Sequence, residues 1–186
     1  MGHKHSRDGV LDAAVAVAGR VGLGGLSYRL VAQEAGTSDR MVVYYFADKT
    51  ALLGGVLARV GDELRAILEQ SLPAAGPDGL TRAQVLRASR SVFTDPDRQP
   101  VLRLLVEAVG LGAAGREPFA TVVPQLLQGW VVWLEGRMGP AGPGEAVATV
   151  ATVEGLVIVG GLLGPDARAA AWDALTRDGT TRAGTG

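Results

Sequence analysis

Arg40, Tyr44 and Lys49 stand four and five residues apart in "SDRMVVYYFADKT" (38–50). At helical spacing the first two share one face. A guanidinium there can donate bidentately to a guanine edge, and a tyrosine hydroxyl can bond a phosphate oxygen. An ammonium at the start of the next helix adds positive charge where backbone amides already favour anions. Covalent chemistry has far less to work with. The chain has no cysteine, and its two histidines, His3 and His5, both lie in the leading arm. That leaves no triad and no imidazole base in the body of the chain. There is no Walker loop, no dinucleotide fingerprint and no zinc-ligand cluster, and H-x-H at 3–5 supplies two ligands at most. The expectation is a non-enzyme without cofactor or metal. Carboxylate chemistry stays formally open, with nothing in the pattern pointing to it.

These side chains need a scaffold, and 186 residues with 47% apolar and 20% charged composition can build one. The net charge of −1 excludes a general polyanion binder, so any nucleic-acid contact must come from a local patch. Residues 1–49 carry six Lys or Arg (4, 7, 20, 29, 40, 49) against five Asp or Glu (8, 12, 34, 39, 48), a local +1. The only lysines are Lys4 and Lys49, against sixteen arginines, so a lysine at 49 is less readily neutral filler. His3 and His5 either add charge near phosphates or form an inert arm.

Glycine, proline and helical periodicity divide the chain into helices. Val10, Leu11, Ala14, Val15, Ala18 and Val21 make a first amphipathic helix, ended by "GLGG" (22–25). Ser27 caps a second through Ala35, Gly36 ends it, Ser38 caps a third over 39–46, and Asp48 caps a fourth from Lys49 to about Leu72. Beyond the "PAAGPDG" linker (73–79), helices are expected at about 80–94, 100–113, 118–138, 144–163 and 166–177. The glycine-rich tail 179–186 is expected to be disordered. No stretch alternates with period two, and the fold class is all-α.

A short helix, a glycine turn and a second short helix over 27–46 form the helix-turn-helix pattern. Val42 and Phe46, at i and i+4, face inward, while Asp39, Arg40, Val43 and Tyr44 take the opposite side. The segment "RDGVLDAAVAVAGRVGLGGLSYRLVAQEAGTSDRMVVYYFADKTALL" (7–53) resembles the N-terminal domain of the tetracycline-repressor (TetR) family of bacterial transcription regulators. "VAQEAGTS" and "YYFADKTALL" carry most of the resemblance. It implies a three-helix DNA-binding domain over 1–48 and a helical ligand-binding and dimerisation domain over 49–178. It also implies a recognition helix at 39–46, with Arg40 and Met41 facing bases, Tyr44 facing phosphate, Lys49 on phosphate and Arg29 reaching DNA from the preceding helix. Val43 departs from the pattern, standing where the family usually has a backbone-bonding tyrosine. Either Tyr44 supplies that hydroxyl or affinity is lower. Tyr45 reads as half-buried support. Asp39 would repel phosphate unless it accepts from cytosine or caps its helix, and capping is the expectation.

One such motif reads too few bases alone, so a homodimer on a near-palindromic operator is expected. Residues 146–163 are almost wholly apolar, with the small residues Ala148, Ala151, Gly155 and Gly160 permitting close approach of a second copy, Val159 in the same expected interface and Trp172 as an anchor from the following helix. The same stretch approaches the ~20 apolar residues of a membrane span. Glu154 near its middle, at ~3 kcal/mol on insertion scales, favours burial within protein, and no membrane partner is expected. The start "MGHKHSR" lacks a signal-peptide core, which predicts a cytoplasmic protein. Thr121, Gln125, Gln128 and Glu135 form one polar stripe on the helix at 118–138. It reads as a solvent face opposite Val123, Leu127, Trp130 and Leu134. The alternative is a pocket for an unidentified small-molecule effector, walled by Phe93, Leu104, Phe119, Trp130 and Trp133, with Arg103 and Glu107 as polar anchors.

Overall fold

A computed structural model describes residues 6–139 and 144–177. His3, His5, Lys4 and the tail 179–186 lie outside the described residues, so the readings made of them have no structural counterpart. The described residues form α1 (Arg7–Gly25), α2 (Tyr28–Ala35), α3 (Asp39–Tyr45), α4 (Lys49–Ser71), α5 (Arg82–Thr94), α6 (Gln99–Ala113), α7 (Phe119–Met138), α8 (Gly144–Leu163) and α9 (Pro165–Thr176). A single 3-10 turn, Pro96–Arg98, precedes α6 and was not expected. No strand occurs among the described residues, in agreement with the all-α reading.

Local chemistry sets the boundaries. Ser6, Ser27 and Ser38 accept from the amides of Gly9, Leu30 and Met41, capping α1, α2 and α3, and Asp48 Oδ1 accepts from Ala51 at 2.7 Å to cap α4. Each such cap is worth about 0.5–2 kcal/mol. The first helix therefore starts at Arg7, three residues before its apolar pattern begins. Gly36 closes α2 in the left-handed region (φ 66, ψ 37), letting Thr37 donate to the Ala32 carbonyl. At Gly22 the backbone leaves helical geometry (φ 76, ψ 169), and Leu23–Gly25 make a separate turn.

The chain forms two compact units. The first takes the described residues up to Ala66 together with Asp97–Gln128. Its centre includes Val10, Ala14, Val17, Leu23, Val31, Val42, Phe46, Leu52 and Val56, all buried, where α1, α2, α3 and the start of α4 meet. The second takes Ile67–Pro96 and the described residues from Gly129 onward. Here Leu80, Val85, Leu134, Met138 and Ala146 form a core cluster. Arg137 stacks 4.4 Å over the Trp133 ring and pairs with Glu69 at 2.7 Å.

In this second unit α8 packs against α5 and α9. It is long and apolar enough to cross a membrane by length and composition. Its Ala146, Thr149, Leu156, Val157 and Gly160 are buried in the unit. Gly160 is small because α9 of the same chain needs the space: a Cβ there would fall 2.6 Å from the Arg168 side chain. Trp172 is 0% exposed. That corrects its expected role as an interface anchor, since a ring already covered within its own chain has no surface left to offer a second copy.

Candidate nucleic-acid interface

The helix-turn-helix is held by its inward residues. Val42 of α3 and Phe46 just beyond it are buried, and the guanidinium of Arg7 lies 5.0 Å over the Phe46 ring. Tyr28, the first residue of α2, donates its hydroxyl to the Phe46 carbonyl at 3.3 Å, tying one end of α2 to the far end of α3. Burial, and secondarily the charge of Asp48, push the Tyr28 hydroxyl pKa above its usual value. The sequence reading missed Tyr28, because nothing in the spacing of 28 and 46 marks a contact. Arg20 of α1 pairs with Glu34 of α2 at 2.5 Å, an exposed bridge of little energetic weight.

With Val42 inward, the opposite arc of α3 carries Asp39, Arg40, Val43 and Tyr44, all exposed. Tyr44 is 77% and Val43 43% exposed, large values for an aromatic and a β-branched residue. Both lie on the same outward arc as Arg40. Met41 is half-buried at the edge of the arc, less open to a base than Arg40. Tyr45 is half-buried and meets Tyr44 edge-on, with centroids 5.2 Å apart. Asp39 is not the cap expected of it. Ser38 fills that position, and Asp39 has no hydrogen-bond partner among the described residues, standing in the first turn where the helix dipole favours a carboxylate.

Arg29, Arg40 and Lys49 are exposed and enter no ion pair among the described residues, unlike Arg20. The neighbouring carboxylate of Asp48 is already engaged by the Ala51 amide. Arg40 and Tyr44 thus stand outward on a short helix of the size that enters a major groove, with Arg29 on the helix before it and Lys49 at the start of the helix after it. Chemically, such exposed cations can donate to phosphate oxygens, and a guanidinium can also donate to a base edge.

The proposed pocket residues divide between the two units. Arg103, Leu104, Glu107 and Phe119 belong to the first; Phe93, Trp130 and Trp133 belong to the second. Leu104, Phe119 and Phe93 are buried, and Arg103 is exposed. Trp130 and Trp133 are half-buried, edge to face at 5.5 Å. Glu107 is not free to anchor a ligand, because both its oxygens accept from backbone amides, of Leu23 and Gly24. Thr121, Gln125, Gln128 and Glu135 are all exposed, as a solvent face requires. On α8, Ala151 and Val159 are exposed and Ala148 and Gly155 half-buried.

Residues 10–56 match the family model of the bacterial regulatory proteins of the tetR family. The whole fold is similar to that of a transcriptional regulator from Rhodococcus sp. Rha1, at 25% identity over 92% of this chain and 94% of that one, with a TM-score of 0.68. A candidate transcriptional regulator from Streptomyces coelicolor A3(2) is 27% identical over 94% and 98%, with a TM-score of 0.72. The multidrug-binding protein EbrR, in complex with imidazole, is 27% identical over 95% and 93%, with a TM-score of 0.71. Comparison with curated protein sequences finds no match. Residues 10–56, which hold this exposed short helix, thus carry the helix-turn-helix domain of the tetR family of bacterial regulatory proteins, within a chain similar over most of its length to solved transcriptional regulators.

Proposed function

We infer that this regulator acts in the cytoplasm as a homodimeric repressor, binding a near-palindromic operator and leaving it when a small, largely apolar ligand binds. The observation that carries the DNA half is the exposed arc of α3 with Arg40 and Tyr44, together with the exposed Arg29 and Lys49 on the flanking helices, which enter no ion pair among the described residues. In this reading residues 1–48 serve DNA binding and 49–178 serve ligand binding and dimerisation.

Dimerisation is supported by α8. Val147, Ala151, Val159 and Leu162 recur on one side of that helix at helical spacing and are exposed, Leu162 at 82%. A second copy pairing there would remove that apolar surface from water. Two recognition helices would then address half-sites about 34 Å apart, or a multiple of that. The ligand half is supported by the similarity to EbrR, which has been solved with proflavin and with malachite green, each structure being 25% identical to this chain. Aromatic compounds of that kind are the first to try. Release requires that the ligand bind the DNA-free arrangement more tightly than the DNA-bound one.

The test is a gel shift on fragments of genomic DNA at ~50 mM salt, where phosphate contacts are strongest. Binding to a subset of fragments, weakened by rising salt, is the expected result. Failure to bind any fragment at low salt would refute the DNA-binding reading. Addition of malachite green or proflavin to a bound fragment then tests release.

A further inference from the structure

Glu107 lies on α6, yet its carboxylate is spent on the turn that leads into the helix-turn-helix. Oε2 accepts from the Leu23 amide at 3.0 Å and Oε1 from the Gly24 amide at 3.1 Å, across 84 and 83 residues of sequence. Those amides are available because Gly22 interrupts α1. Once the backbone leaves helical geometry there, the turn Leu23–Gly25 starts afresh, and its first N–H groups have no carbonyl one turn earlier to bond. Successive amides aimed at one point make an anion-binding concavity. Glu107 fills it as a helix cap delivered from another helix.

The fit is close. A Cβ at position 22 would stand 3.1 Å from Glu107 Oε2, and φ of 76 is itself costly for any side-chain-bearing residue, so glycine is required twice over. Leu23 is 0% and Leu26 2% exposed, so the capped turn is pinned by buried leucines while its amides face the carboxylate. Ser27, the N-cap of α2, follows directly. The backbone that Glu107 holds is therefore the last piece of chain before α2 and α3 set out. The exposed Arg20–Glu34 bridge is weaker by its nature, being solvated at both ends.

The geometry points to Glu107 as the positioning residue of the DNA-reading head: through this carboxylate, α6 sets the direction in which α2 and α3 leave α1. This rests on the DNA-binding reading above and adds a residue outside residues 1–48 on which operator affinity depends.

The experiment compares the full-length wild type with Glu107→Ala and Glu107→Gln. It measures amide hydrogen exchange along the chain, thermal stability, and Kd for a genomic fragment selected with the wild type. In Glu107→Ala the Leu23 and Gly24 amides exchange about tenfold faster or more. The acceleration extends over residues 27–46 and spares α8 and α9, and Kd weakens by about tenfold. Glu107→Gln keeps one acceptor oxygen and falls between the two, and it stands in if the alanine variant does not fold. Faster exchange at Leu23 and Gly24 alone, with Kd within twofold of wild type, would reduce Glu107 to a local cap and overturn the proposal. So would a uniform acceleration across both units that tracks a lower Tm. Absence of DNA binding by the wild type would sink the DNA-binding reading instead, and the exchange pattern over 27–46 would still decide whether Glu107 orders the reading head.

Discussion

The Tyr28 hydroxyl donates to the Phe46 carbonyl at 3.3 Å, so the first residue of α2 is tied to the residue that follows α3. The bond closes the helix-turn-helix at the end opposite its glycine turn. Tyr28→Phe should cost about 0.5–1.5 kcal/mol in urea unfolding. A pH dependence follows from the raised pKa of this hydroxyl. Above pH 10.0 the unfolded chain ionises Tyr28 while the folded chain keeps its proton. The unfolded state then binds fewer protons, and stability falls as pH rises through that range. Tyr28→Phe should flatten that alkaline fall, and an unchanged slope would contradict the assignment.

Arg40 and Lys49 should fail differently. Arg40→Ala is expected to cost about 1–3 kcal/mol and relax preference among fragments, whereas Lys49→Ala weakens all sequences about equally and lowers the salt slope by about one. Equal effects from both would refute the division between base reading and phosphate contact.

Val43 shares its arc with Tyr44 and is 43% exposed, so a larger residue meets no core atoms there. If the proposed orientation on DNA holds, Val43→Tyr adds a hydroxyl that can bond a phosphate and should tighten binding to all fragments severalfold, since backbone contacts carry no sequence information. A gain confined to one sequence would mean that position 43 reads bases.

Glu154 lies on α8, and burial raises its pKa above 4.5. The folded state therefore holds the proton to higher pH than the unfolded state does. The stability contributed by the protonated form is complete below pH 4.5 and is lost as pH rises through the folded-state value. Glu154→Gln should melt higher than wild type at pH 7.5, with the difference shrinking toward pH 4.5. A difference independent of pH would show that the carboxylate is not the cause.

Trp172 and Val159 separate folding from association. Trp172, with no exposed surface, should cost about 3–5 kcal/mol on truncation to alanine, at any protein concentration. Val159, 51% exposed on α8, should leave the fold intact when changed to aspartate and shift sedimentation toward the monomer. Unchanged sedimentation for Val159→Asp would remove α8 from the proposed interface.

By itself the sequence determined the α-helices, the caps at Ser27, Ser38 and Asp48, and which residues of α3 turn inward. Ser27, Ser38, Asp48 and Gly36 act on amides or carbonyls within five residues of themselves, so their roles can be read from local order. The same holds for Val42 and Phe46 inward against Arg40 and Tyr44 outward, because a helix of known period has only two sides. Tertiary structure alone decided what Glu107, Tyr28 and Trp172 do. A carboxylate in an apolar helix looks like a ligand anchor until the orphan amides of Leu23 and Gly24 are found beside it. A tryptophan on α9 looks like an interface anchor until the packing of α9 against α5 and α8 is seen to bury it within its own chain. Periodicity records which side of a helix avoids water, while the identity of the neighbour that covers it is fixed only when segments far apart in the chain pack together.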